Sequence, residues 1–91
     1  MNFKEILETM ITNDASDAFI VPGGPLRTRI YSEVRTIDNY LFTGKDVDKF
    51  VSEITDPAEK EMLKGLLQSY ADRLPDQFVV LTGKGVRFAK R

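Results

Sequence analysis

At 91 residues the chain has room for one domain with one modest core, and a net charge of -1 gives no global attraction to nucleic acid or anionic membrane. It contains neither cysteine nor histidine. That excludes a disulfide, a thiolate nucleophile and a sulfur metal site, and removes the commonest metal ligand and the usual general base at neutral pH.

Phe3, Ile6, Leu7, Met10 and Ile11 recur at helical spacing, with Lys4, Glu5, Glu8 and Thr9 on the other side. Glu5 and Glu8 interrupt the apolar residues and no small-residue cleavage site follows, so this stretch does not read as a signal peptide. Asn13 and Asp14 are the expected terminators. Asp17 to Val21 is an apolar run too short for a helix, and Pro22-Gly23-Gly24-Pro25 then forces a turn. Leu26, Thr28 and Ile30 alternate with Arg27, Arg29 and Tyr31, predicting a strand with one apolar and one basic-aromatic face. Ser32-Glu33 is the expected two-residue link into a partner strand from Val34 to Ile37, although it lacks the glycine such a turn prefers.

Thr43-Gly44-Lys45-Asp46 fits a capping box ahead of a helix whose buried stripe is Val47, Phe50, Val51 and Ile54. Asp56-Pro57-Ala58-Glu59 opens a third helix, with Met62, Leu63, Leu66, Leu67 and Tyr70 as its apolar face. Gly65 inside that helix costs about 1 kcal/mol against alanine, which predicts a close contact there. Pro75 ends any continuation. Phe78 to Leu81 reads as a strand buried on both faces, Thr82-Gly83-Lys84-Gly85 as a turn, and Val86 and Phe88 as the start of its partner. Strand-like sequence runs to Arg91, which reads as a domain cut from a longer chain. The expected fold is α+β over residues 1–91, in the order α-β-β-β-α-α-β-β. About five strands form an antiparallel sheet with three helices mainly on one face. The longest apolar runs fall far short of the roughly 20 residues that span a bilayer, so the domain is expected in the cytoplasm.

Chemistry-bearing patterns are few. Gly44-Lys45 and Gly83-Lys84 lack the upstream glycine and the following hydroxyl of a phosphate loop, and read as turn or cap residues. Asp46, Asp48, Glu53, Glu59 and Glu61 fall at positions expected to face solvent. Two arginine-rich clusters remain. Arg27 and Arg29 share a strand face with Tyr31, and Arg35 is expected to join them across the hairpin. Lys84, Arg87, Lys90 and Arg91 form the second, without an acid in the last ten residues. Arginine forks match carboxylate and phosphate, so Arg27, Arg29, Arg35 and Lys84 are candidate interface residues for an acidic partner, and the balanced charge argues against nucleic acid.

Taken in order, the amphipathic helix, Ala15-Ser16-Asp17, the Gly23 to Pro25 turn, Arg29, Ser32, Phe42-Thr43-Gly44-Lys45-Asp46 and Gly85-Val86-Arg87-Phe88 resemble a known domain. It is the N-terminal domain of the type IV pilus retraction ATPases, the PilT family of twitching motility, within the wider secretion and traffic ATPases. The likeness covers the whole chain through the order and spacing of its motifs. Ala18 and Phe19 stand where an aliphatic residue and histidine are usual, Ser32 replaces the hairpin glycine, and Ala89 a second arginine. The resemblance implies a PAS-like domain preceding a RecA-like motor domain absent from this chain. It implies a homo-hexameric parent that binds ATP and Mg²⁺ in the motor, and packing of this domain on its own or a neighbouring motor domain. It further implies location at the inner membrane through a pilus or secretion platform, without membrane insertion. Arg87, and less closely Arg91, match the arginines that approach the motor's nucleotide. The chain itself lacks the Walker motifs and is expected to hold no cofactor and to be no enzyme. A free-standing PAS-like small-ligand sensor, or a regulator that caps such a motor, is the alternative.

Overall fold

The computed structural model describes residues 1–73, 77–81 and 85–90, in the order α1 (Phe3–Asn13), β1 (Asp17–Ile20), β2 (Pro25–Ile30), β3 (Glu33–Leu41), α2 (Gly44–Thr55), α3 (Pro57–Ser69), β4 (Gln77–Leu81) and β5 (Val86–Lys90). The break at Pro75, the turn at Thr82 to Lys84 and the side chains of Phe78, Val80 and Leu81 lie outside the described residues. The fold is α+β. Five antiparallel strands run in the order β3-β2-β1-β5-β4.

Local chemistry accounts for each helix start. Asn2 caps α1 in a capping box with Glu5, and Thr43 caps α2 in a second with Asp46. The Asp56 carboxylate accepts from the amides of Ala58 and Glu59 with Pro57 at the first position of α3. Asp14, in the left-handed region at φ 51°, ends α1, and the Ala15 amide closes onto the Met10 carbonyl at 2.8 Å. Pro22-Gly23 turns the chain after β1: Gly23 sits at φ 78° and the Gly24 amide reaches the Val21 carbonyl at 3.2 Å, a type II arrangement.

The core lies between the helices and one face of the sheet. Phe3, Ile6, Leu7 and Met10 of α1, Val47 and Phe50 of α2 and Leu63 of α3 meet Ala18, Ile20, Leu26, Ile30, Val86 and Phe88. The Phe3 ring is 4.7 Å from that of Phe50 and 4.6 Å from that of Phe88, joining two helices to the sheet. The Tyr70 hydroxyl donates to Glu8 at 2.9 Å, fastening the end of α3 to α1. The shortest molecular extent is 20 Å, the thickness of one sheet and one helix layer at roughly 10 Å each. Among the described residues the opposite face of the sheet carries no helix.

Four expectations are corrected by packing. The β2–β3 loop is Tyr31-Ser32, one residue earlier than Ser32-Glu33, with both residues at positive φ (50° and 69°) as a type I′ turn requires. Tyr31 is therefore a turn residue, 83% exposed, and not part of the basic strand face. Met62 is 76% exposed, because α3 meets the rest of the protein through Leu63 with Leu66 and Leu67 half-buried. Gly65 has no neighbouring atom within 4 Å of where a Cβ would stand among the described residues, so no close contact explains it. Among the described residues no helix is long and apolar enough to cross a membrane.

Candidate functional site: an arginine-bearing sheet face

Strand alternation decides what the helix-free face displays. Ala18 and Ile20 point into the core, so Asp17 and Phe19 of β1 point the other way. Antiparallel register sets Arg29 of β2 and Ala89 of β5 opposite Asp17, and Arg27 and Arg87 opposite Phe19. One carboxylate and one ring thus lie among three arginines drawn from both ends of the chain.

Asp17 is the centre of the cluster and is only 5% exposed. Its Oδ1 accepts from Arg87 Nε at 2.8 Å and from Arg87 Nη2, while Oδ2 accepts from the Ser16 hydroxyl at 2.7 Å. Arg29 Nε stands 3.9 Å from Oδ2. Burial pushes the Asp17 carboxyl up, but the Ser16 and Arg87 hydrogen bonds and the charges of Arg87 and Arg29 together outweigh it. The net result lies below the ordinary 3.8. The Phe19 ring has the guanidinium carbons of Arg29 and Arg87 each 5.7 Å from its centroid, within cation–π range.

Each residue of Ala15-Ser16-Asp17 thereby has a physical task. Ala15, fully buried, follows the helix terminus; the Ser16 amide donates to the Arg29 carbonyl at 2.9 Å; Asp17 clasps Arg87. Gly85 lets β5 reach β1, since a Cβ there would lie 1.9 Å from the Ile20 carbonyl oxygen.

The candidate residues divide accordingly. Arg27 and Arg29 lie on this face as expected, with Arg27 exposed and in no ion pair among the described residues. Arg87 joins them, its side chain still 38% exposed beside Asp17. Arg35 does not. Register places it opposite Thr28 on the helix side of the sheet, where it forks onto Glu33 at 2.8 and 3.2 Å. Lys84 and Arg91 lie outside the described residues. Asp17 and Phe19 were missed as site residues. Reading Asp17 to Ile20 with a two-residue period, against the arginines of β2, is the signal that finds them.

Of the acids expected to face solvent, Asp48 and Glu61 do, whereas Asp46, Glu53 and Glu59 are corrected to half-buried. Glu53 is half-buried, and its Oε2 has no hydrogen-bond partner among the described residues. Burial raises its carboxyl, with Lys49 opposing and Glu59 adding to the shift. It borders a groove of about 310 Å³ shared with Asn2, Phe3, Met62, Leu63 and Leu66. Among the described residues no three His, Cys, Asp or Glu side chains converge as a metal site would require. The chain matches no protein-family model and no curated protein.

Proposed function

We propose that the chain is a non-catalytic assembly domain of a hexameric pilus-retraction or type II secretion ATPase, working in the cytoplasm at a membrane-bound platform. It docks through the helix-free sheet face onto a motor domain of its own or a neighbouring subunit. The observation that carries this reading is the Asp17–Arg87 pair. It joins Ala15-Ser16-Asp17 to Gly85-Val86-Arg87-Phe88, the outer motifs of the family resemblance, on adjacent strands. Arg27 and Arg29 widen the same face into a surface suited to carboxylate or phosphate.

In this reading ATP and Mg²⁺ belong to the motor domain, and this domain supplies positioning alone. Arg87 has two competing acceptors, the Asp17 carboxylate within its own sheet and the anionic groups of the docked motor. Transfer of its outer donors between them couples nucleotide state to the seating of a rigid sheet. A small-ligand sensor has less support. The 310 Å³ groove has an apolar wall but opens between helices, with its polar groups at helix ends.

The test is ATP turnover by the motor domain of such an ATPase with the purified chain added. The wild-type chain is expected to change turnover, and Arg27→Glu to lose most of that effect while remaining folded. Equal effects of the two chains, or none from either, contradict the proposal.

A further inference from the structure

β3 is an edge of the sheet, and nothing among the described residues pairs with its outer side. Edge strands are templates for another strand unless charge, proline or a bulge blunts them. Here the protection is partial. The irregular pairing opposite Pro25 and Arg27 disturbs β3 after Thr36, but Glu33 to Thr36 runs in regular register with Val34 51% exposed.

The hairpin fixes which backbone groups of that segment face outward. A two-residue loop closes on the hydrogen-bonded pair Ile30–Glu33, so Glu33 and Arg35 direct their amides and carbonyls at β2. Those of Val34 and Thr36 therefore point to the open side. A two-fold axis through Val34 would let two copies exchange both Val34 hydrogen bonds. The same axis sets Glu33 opposite Arg35 of the second copy and Arg35 opposite its Glu33. Moving the axis to Glu33 or to Arg35 sets like charges face to face, and moving it to Thr36 leaves both unmatched.

We propose that β3 pairs antiparallel with β3 of a second copy of this chain, about a two-fold axis at Val34, making one continuous sheet across two domains. The Glu33–Arg35 fork, formed within one chain at 2.8 Å, is the set of charges that the two copies exchange. The segment is short, so the dimer is weak in free solution and gains from any assembly that holds two domains close. The pairing stands independently of the proposed motor partner, because it uses the edge of the sheet and not its arginine face.

Sedimentation equilibrium of the 91-residue chain tests the proposal. The wild-type chain is expected to dimerise reversibly, and Glu33→Arg and Arg35→Glu each to weaken association about tenfold or more by setting like charges opposite at two positions. The two variants mixed are expected to recover wild-type association, since each then meets its complement. Val34→Pro removes an outward amide without touching the ladder to β2, and is expected to be a folded monomer by circular dichroism. A wild-type chain that stays monomeric to about 1 mM, charge variants that self-associate as well as wild type, or a mixture no tighter than its components overturns the proposal. If Val34→Pro fails to fold, the charge variants decide alone.

Discussion

Asp17 shows how a single residue can organise one face of a sheet. A carboxylate this buried is tolerable only because Ser16, Arg87 and Arg29 surround it, and removing one partner of such a pair is costly. Arg87→Ala is expected to destabilise the domain by about 2 kcal/mol, below the fully buried case because the arginine is more than one-third exposed. The pH dependence has a definite sign. The folded carboxyl titrates below its ordinary 3.8, so its contribution is fully present above that value and is lost as pH falls through the lower folded one. Urea unfolding across acidic pH should show wild type losing stability in that window and Arg87→Ala losing less. An unchanged acid limb in the variant would mean that Arg87 does not hold Asp17 charged. The basic strand face was legible in the sequence, as Arg27 and Arg29 alternating with Leu26, Thr28 and Ile30. Its counter-ion was not, because Asp17 and Arg87 are 70 positions apart and only strand pairing brings them together.

At the scale of elements, local chemistry was the dependable guide. Thr43 with Asp46, and Asp56 before Pro57, placed two helix starts because a cap satisfies amides within three residues of itself. Boundaries set by tertiary pairing were harder. β3 continues to Leu41, beyond the expected Ile37, because Leu41 pairs with Pro25 and the Phe42 amide binds the Gly24 carbonyl at 2.9 Å. The Tyr31-Ser32 turn escaped notice since neither residue favours positive φ. Tyr31→Asn combined with Ser32→Gly supplies residues that do, and is expected to stabilise the hairpin by about 1 kcal/mol in thermal or urea unfolding. A loss of stability would show that Tyr31 matters through contact with Asp14. Gly65→Ala, in an exposed helix interior with open space around it, should add about 1 kcal/mol by the same measurement. Destabilisation there would reveal a contact that the packing of α3 does not contain.

The whole molecule is a two-layer domain with its helices on one side of the sheet and three arginines on the other. Alternation and helical periodicity made that architecture readable, but which sheet face stays open depends on where α1, α2 and α3 settle. Those helices cover the face of Ala18, Ile20, Leu26, Ile30, Val86 and Phe88, leaving Arg27, Arg29 and Arg87 around the buried Asp17 on the other. An open face with that charge pattern is the basis for proposing a motor domain as its partner. Titration calorimetry of the chain against the motor domain of a pilus-retraction ATPase tests this most directly. Saturable binding of one chain per motor subunit is predicted, weakened about tenfold by Arg27→Glu and likewise by raised salt. No binding, or equal affinity for the Arg27→Glu chain, would contradict the account.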